Sequence, residues 1–426
     1  MIKTFEIKSW LLPAYVVATL FPRLLSLPGL PAQVQLTELL YPLLLVVFYR
    51  EGLAECRRYP LLAGAVVIYC GANILAGIFA PLPENGESFS ISQLKEPAAR
   101  CYLGSVLFLT MGALRTYGTE RLTAVWRWVT VAVSALCIIV YVAVVLGNPD
   151  LGYFVSHFDV YPYLGSVYRL RGPGVSYSML YILLLPGMFL ALERAQMTGK
   201  WYGALVICLA GVLTIGKENL LLPLGILLWF AWRFRSLVYR VLTLAAAGLI
   251  ATVLLFGTHF ILVSESENLS ETAYSNGRSW FGDSPYSLLE TNYTENKRAA
   301  LIIAGRYPLL GVGPGNFGEH TALLVEEGRY PRNFGRFDPH SSWTGALAET
   351  GLVGLLALCF LAFVLWRIGP AATEAPLLTA LLVCLLVTSV FTDLMNFRGL
   401  WVLLGWYAVF PSLNSLRKPD TGQPDV

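Results

Sequence analysis

The stretch VLTLAAAGLIATVLLFGTHFILV, residues 241–263, contains no Asp, Glu, Lys or Arg. A helix needs about 20 mainly apolar residues to cross the hydrocarbon core of a bilayer. Within that core each backbone amide must be satisfied inside its own element, which a helix achieves. The stretch therefore reads as a membrane span. Further runs of the same kind lie near 10–27, 34–49, 60–80, 101–115, 123–146, 173–192, 201–216, 219–232, 342–366, 375–392 and 399–415. Composition agrees, since 56% of the 426 residues are hydrophobic and only 13% are charged. A soluble domain carries about 25% charge. The expected fold is all-α, a polytopic transmembrane helix bundle of about 12 spans. Residues 1–426 form a single integral-membrane domain, with a large, partly helical loop at 264–341 between the ninth and tenth spans.

Basic residues orient the bundle, because Lys and Arg accumulate in short cytoplasmic loops. With the N-terminus inside, the inner set is Lys3 and Lys8; Arg50, Arg57 and Arg58; Arg115 and Arg121; Arg194 and Lys200; Arg233, Arg235 and Arg240; Arg367; and Arg417 with Lys418. Every alternate loop carries at least one, which sets both termini on the cytoplasmic side. The outer loops differ. Segment 81–100 is mixed in charge, 147–172 is aromatic, and 264–341 is too long for a simple connector, a length that usually serves function. All four histidines, His157, His259, His320 and His340, fall at or beyond the outer boundary. The net charge of +3, with no basic tract interleaved with aromatics, excludes a nucleic-acid binder. The cysteines sit in or beside apolar runs without a CxxC pair, as small hydrophobes and not as a disulfide set or metal site. The N-terminal apolar run lacks the small-residue cleavage pattern of a signal peptide.

The chemistry-bearing residues gather on the outer face. In Asp338-Pro339-His340-Ser341-Ser342-Trp343, Asp suits a helix N-cap and Pro the first helical position. His340 would then open the tenth span. A helix N-terminus favours anions and a neutral imidazole, so His340 fits a base beside a phosphate. It fits equally an interfacial His bonded to its own loop. Lys217, in a short turn between two spans, Arg169 and Arg171 before the sixth, Lys297 and Arg298 in the large loop, and Arg398 before the last span are cations on the side where cations should be scarce. Together they could hold a diphosphate. Singly, each could equally snorkel to lipid headgroups, and Lys217 could pair with Glu218.

Three other features bear on the site. Gly311-Val312-Gly313-Pro314-Gly315-Asn316-Phe317 lacks the Lys-Ser/Thr ending of a phosphate loop, and Pro314 removes a donor. It reads as a rigid turn. Asp393, with Asn396, ends the eleventh span and is a functional candidate or a partner for Arg398. Glu349 lies nine residues after His340, on the opposite side of an ideal helix, and so reads as structural or as reaching a neighbouring loop. No carboxylate pair, His/Cys cluster or GxSxG elbow suggests glycosidase, metal or serine-nucleophile chemistry. Neither a metal nor a cofactor is expected.

Pro308-Leu-Leu-Gly-Val-Gly-Pro-Gly-Asn-Phe317, followed by His340-Ser-Ser-Trp-Thr-Gly-Ala-Leu-Ala-Glu349-Thr-Gly351-Leu-Val-Gly354, resembles the signature of the O-antigen ligase and O-antigen polymerase family. That family carries PLxGxGxGNF in a periplasmic loop, then a His opening the next helix, then ExGxxG. Elsewhere the likeness is looser. Family members often show TxSRG where this chain has Thr214-Ile-Gly-Lys217-Glu218, so a cation is kept but the bidentate Arg fork is lost. Arg169-Leu-Arg171-Gly172 is similar to the family's RxxG. The family's GRxxxW arginine, counted back from Pro308, falls on Tyr293, and Arg298 or Arg278 would take its role.

The resemblance implies a GT-C-like integral-membrane glycosyltransferase in the bacterial inner membrane, with its active site facing the periplasm. Its donor would be a glycan on a polyprenyl (undecaprenyl-type) diphosphate. The acceptor hydroxyl would belong to lipid A core in a ligase, or to a second lipid-linked repeat unit in a polymerase. On this reading His340 is the catalytic base of an inverting, metal-independent transfer in lipopolysaccharide biosynthesis. Lys217, Arg298, Arg169 and Arg171 hold the diphosphate, and Arg278, Asp338, Glu349, Asp393 and Arg398 support them. A polysaccharide or lipid transporter, or a non-catalytic assembly subunit, is the reading from another class. A transporter should show repeat symmetry and charges at mid-membrane, and the sequence has neither.

Overall fold

Fourteen helices run through the described residues of the computed structural model, which are 2–21, 35–81, 91–147, 155–158, 167–172, 177–233, 236–264, 286–332 and 338–417. They are α1 (Ile2–Thr19), α2 (Leu36–Arg58), α3 (Pro60–Ile78), α4 (Lys95–Tyr117), α5 (Glu120–Val145), α6 (Tyr177–Thr198), α7 (Tyr202–Leu213), α8 (Leu221–Arg233), α9 (Leu237–His259), α10 (Asn292–Arg306), α11 (Phe317–Glu326), α12 (Ser342–Ile368), α13 (Pro376–Thr388) and α14 (Arg398–Arg417). Each apolar run overlaps one helix, and α10 and α11 lie within the expected large loop. Among the described residues six helices are long and apolar enough to cross a membrane: Pro60–Ile78, Lys95–Tyr117, Glu120–Val145, Met179–Thr198, Leu237–His259 and Ser342–Ile368. Helix α9 shows why the surroundings must be lipid. It exposes Leu237, Val241, Leu242, Leu249, Val253 and Phe256 along its length, an apolar face too extensive for water. The chain is a multi-pass helical membrane protein.

Several boundaries correct the sequence expectation. Helix α1 starts at Ile2 and not near residue 10, because Lys3, Glu6 and Lys8 lower hydropathy without lowering helix propensity. Helix α4 starts at Lys95 and not at 101, so Arg100 lies inside the helix. The stretch 241–263 is not one element. Helix α9 stops at His259, and Phe260–Ser264 forms a strand, β3, antiparallel to β4 (Tyr286–Glu290). The run Phe-Ile-Leu-Val has the aromatic and β-branched character that suits a strand. Another short hairpin joins Val155–Phe158 (β1) to Val167–Leu170 (β2).

Two junctions fix α10 and α12 in place. At the first, Thr291 and the start of α10 tie onto the end of α9. The Thr291 amide and the Thr294 hydroxyl both donate to the His259 carbonyl, at 2.9 Å each, and the Thr291 hydroxyl donates to the Thr258 carbonyl at 2.6 Å. Carbonyls that a helix end leaves orphaned are thereby satisfied, and α10 is registered against α9.

The second junction is a break in α12. Gly351 adopts φ 64° and ψ −165°, which interrupts the helix. In an intact helix Leu352 and Val353 would donate to Ala348 and Glu349. Instead Leu352 donates to the Pro308 carbonyl at 2.8 Å and Val353 to Leu309 at 3.2 Å. The freed Ala348 and Glu349 carbonyls accept from Val312 at 3.1 Å and Gly313 at 2.8 Å. The glycine-rich segment is spliced into the ladder of α12. A Cβ on Gly351 would lie 2.2 Å from the Leu309 carbonyl oxygen, and one on Gly311 would lie 2.4 Å from the Glu349 carbonyl carbon. Only glycine admits both the close approach and the left-handed φ.

Candidate functional site

Beside these junctions, three segments distant in sequence meet on one tyrosine. The Lys217 ammonium sits 3.4 Å from the centre of the Tyr293 ring and 5.3 Å from that of Phe391. The His340 ring lies 5.1 Å from the Tyr293 ring, tilted by 38°. Tyr293 comes from the first turn of α10, Lys217 from a 3₁₀ turn between α7 and α8, and His340 from the residues before α12. Among the described residues, Ile215 (φ 46°) and His340 (φ 47°) are the non-glycine residues in the left-handed region. For a β-branched Ile this is an outlier. Backbone strain of that kind gathers where function over-determines the conformation; one instance is His340 itself and the other lies two residues before Lys217.

His340 corrects the expected capping. Ser341, not Asp338, caps α12, its hydroxyl accepting from the Thr344 amide at 3.3 Å. His340 precedes the helix instead of lying in its first turn. Asp338 turns to His340, accepting from its backbone amide at 2.8 Å and meeting its ring Nδ1. A carboxylate on Nδ1 fixes the tautomer and leaves Nε2 as the basic nitrogen.

Around Lys217 the cations are arranged unequally. Lys297 reaches the Nε2 of His259 at 2.5 Å. The Nδ1 of His259 faces the Leu255 carbonyl at 2.7 Å. A carbonyl can only accept, so Nδ1 carries the proton and Nε2 accepts from the lysine. Arg169, on β2, donates through Nε to the Thr214 carbonyl at 2.9 Å and bears on Lys217 electrostatically. Burial, opposed by Glu218 and reinforced by Lys297 and Arg169, pushes the Lys217 ammonium down to about 8. Burial alone brings Lys297 to about 8. The Glu218 carboxylate is fully buried, and neither oxygen has a hydrogen-bond partner. The turn thus holds several positive charges at close quarters in a partly dehydrated setting, a site ready for an anion.

Other expected cations go elsewhere. Arg298 pairs with Glu290 at 2.9 Å and Glu295 at 2.5 Å. Arg398 pairs with Glu38 at 2.5 Å and not with Asp393, one of the two roles the sequence leaves open for that carboxylate. Arg171 follows the end of β2, and Arg278 lies outside the described residues.

Asp393 belongs to a second, deeper cluster. Its carboxylate accepts from Arg100 at 3.0 Å, from the Ser342 hydroxyl at 3.2 Å and from the Met395 amide at 3.0 Å. Glu349 faces Arg100, Asp393 and the Gly315 amide. These residues line a small cavity with Tyr69, Asn73 and Thr350, and Pro339 and Ser341 bring it directly under His340. Arg100 is absent from the candidates that the sequence points to. A charge one turn into an apolar helix marks such a residue, but only once the start of α4 is drawn at Lys95. Lys297 is one of the outer-face cations the sequence offers and Tyr293 the position where the family's arginine is counted, but nothing in their spacing sets Lys297 above Arg298 or places Tyr293 against Lys217 before α10 is seen against α9.

Among the described residues no three His, Cys, Asp or Glu side chains converge as metal ligands. No curated protein gives a significant match to the chain. Residues 202–359 match the family model described as O-antigen ligase. That span holds Lys217, Tyr293, Lys297, His340, the glycine-rich segment and most of the broken helix it is spliced into, and over this stretch the chain is similar to the O-antigen ligase family.

Proposed function

We propose that the chain transfers a glycan from a polyprenyl-diphosphate donor to an acceptor hydroxyl, with inversion and without a metal. On this reading the reaction takes place on the periplasmic face of a bundle of about 12 spans in the bacterial inner membrane. O-antigen ligation to lipid A core is the primary assignment. The observation that carries the reading is the shared tyrosine, with Lys217 on its ring and His340 beside it. Displacement at an anomeric carbon needs a base at the incoming hydroxyl and positive charge at the departing diphosphate, one sugar ring apart. His340, its Nδ1 held by Asp338, takes the acceptor proton on Nε2. Lys217, Lys297 and Arg169 receive the developing charge, and such pre-set charge is often the largest catalytic contribution. Arg171 and Arg298 extend the cationic rim. Arg298 reaches the donor only by leaving its two carboxylates, and Lys297 stands in the better position.

The test uses the full chain in nanodiscs, with a polyprenyl-diphosphate-linked glycan as donor. Lipid A core or a second lipid-linked unit serves as acceptor, and EDTA is present throughout. Transfer should persist in EDTA and fall by about 10²–10⁴-fold in His340→Ala, with unchanged size-exclusion behaviour. Product on lipid A core makes the enzyme a ligase, and ladders of longer lipid-linked chains make it a polymerase. Wild-type rates in His340→Ala would remove the base from the mechanism. Donor binding without transfer to either acceptor would favour the non-catalytic assembly reading.

A further inference from the structure

A separate group of cations lies at the end of α7 away from Lys217, where α5, α6 and α7 meet. A cavity of about 290 Å³ there is lined by Arg127 and Trp128 from α5, Arg194 and Thr198 from α6, and Lys200 and Tyr202 at the entry to α7. Arg127 and Arg194 are close enough to repel one another. Among the described residues no Asp or Glu lines the cavity, and none of the three cations is in an ion pair. Glu193, next in the chain to Arg194, lines a neighbouring cavity with Arg233 instead. Three like charges around one concavity, with no carboxylate lining it among the described residues, are stabilised when an anion joins them. Two guanidinium forks and an ammonium suit phosphate oxygens.

The surroundings indicate where that phosphate comes from. From the rim of the cavity, Tyr202, Leu205, Leu209 and Val212 run down one face of α7, all exposed. Helix α5 packs beside α7 and exposes Trp128, Ile139 and Val142 along its own length. The mouth of the cavity therefore opens onto an apolar track between two helices. Trp128 and Tyr202 stand at the junction of polar and apolar, where amphipathic rings settle in membranes. A free phosphate ion would use the cavity alone, whereas a lipid would use both cavity and track.

We propose that this cavity binds the phosphate headgroup of an anionic glycerophospholipid, whose acyl chains lie along the α5–α7 track. The inference stands apart from the glycan-transfer reading, since it uses none of those residues. Basic pockets between membrane helices recognise acidic headgroups by the same physics.

The full-length protein in a neutral maltoside detergent is titrated with phosphatidylglycerol, phosphatidylcholine, inorganic phosphate or glycerol 3-phosphate. Native mass spectrometry counts bound lipid, and thermal unfolding reads stabilisation. Phosphatidylglycerol should bind at least about tenfold more tightly than phosphatidylcholine. Arg194→Gln with Lys200→Gln, both exposed side chains, should abolish the preference without altering elution, and Arg127→Gln should weaken it. Arg367→Gln, an exposed cation on α12, should leave it intact. Equal binding of the two lipids would overturn the proposal, as would a preference that survives the double variant or is lost equally in Arg367→Gln. Stabilisation by inorganic phosphate alone, with none added by phosphatidylglycerol, would remove the lipid.

Discussion

Two charged clusters lie next to one another around the start of α12, and they differ in how their charge is balanced. In the deeper one a fully buried guanidinium, Arg100, meets Asp393 and Glu349. The acceptors of Asp393 are filled by Arg100, Ser342 and a backbone amide. In the outer one, Lys217, Lys297 and Arg169 crowd together against one buried carboxylate, Glu218, and an aromatic ring. The first sets one guanidinium against two carboxylates, so its charge is answered from within the protein, although Nε and Nη1 of Arg100 make no hydrogen bond among the described residues. The second is left positive, with burial holding both lysines down near 8, helped at Lys217 by Lys297 and Arg169. A cluster balanced from within maintains structure, whereas one left unbalanced awaits a ligand.

The sharpest way to break this comparison is Arg100→Ala. Removing one partner of a buried pair leaves an uncompensated charge and costs about 3–5 kcal/mol. The variant should therefore unfold at a markedly lower temperature in detergent. Replacing both partners, as in Arg100→Met with Asp393→Leu, should recover much of the loss. If Arg100→Ala kept its unfolding temperature and lost only transfer, the deeper cluster would belong to the chemistry and the contrast would collapse.

Lys217→Ala should do the reverse. Loss of a charge aimed at the leaving group lowers turnover by about 10²–10³-fold, with stability unchanged or improved, because a dehydrated cation has been removed. Arg298→Ala, in which a surface-facing arginine leaves two carboxylates, should alter donor affinity far less. Comparable losses in both variants would return Arg298 to the diphosphate site and dissolve the distinction from Lys297.

Alkaline titration distinguishes the clusters without mutation. Free Lys217 and Lys297 lose their protons around pH 8, so donor affinity should fall as pH rises through 8. The fall is roughly fivefold per lysine between pH 8 and pH 9. Stability moves the other way. The unfolded chain holds these protons up to the ordinary lysine range, so between 8 and about 10.5 it binds more protons than the native state, and their contribution to native stability rises with pH. Donor affinity that stayed flat across this window would mean that neither ammonium contacts the diphosphate.

Much of this architecture is legible in the sequence, for identifiable reasons. Hydropathy marks helices well, and the spliced α12 shows as two glycine-rich motifs because only glycine tolerates that close approach. What hydropathy marks poorly is the polar start of a helix. Arg100 is hidden by a boundary that hydropathy draws six residues late. Spacing along the chain says nothing about which side chain of a new helix points inward. Residue preference favours Arg298 over its neighbour because arginine suits diphosphates, yet the turn of α10 sends Lys297 to His259 and Arg298 to Glu290 and Glu295. The same kind of preference makes Asp338 a cap, whereas its carboxylate answers to His340.

Tyr293 carries the finest prediction. It stands at the position where the family's arginine would be counted, and it touches both the proposed base and the proposed leaving-group cation. Its ring face offers Lys217 a cation–π contact in the absence of donor, of order 1 kcal/mol when partly dehydrated. That contact holds the ammonium beside the site without the cost of a competing carboxylate. Tyr293→Phe keeps the face and should transfer within about twofold of wild type. Tyr293→Leu removes it and should lower kcat/KM roughly fivefold, by the free energy of one such contact. The loss should appear in KM if the ring only parks the ammonium, and in kcat if it also fixes His340. A Phe variant as impaired as Leu would show that the hydroxyl, not the ring face, is what the site uses.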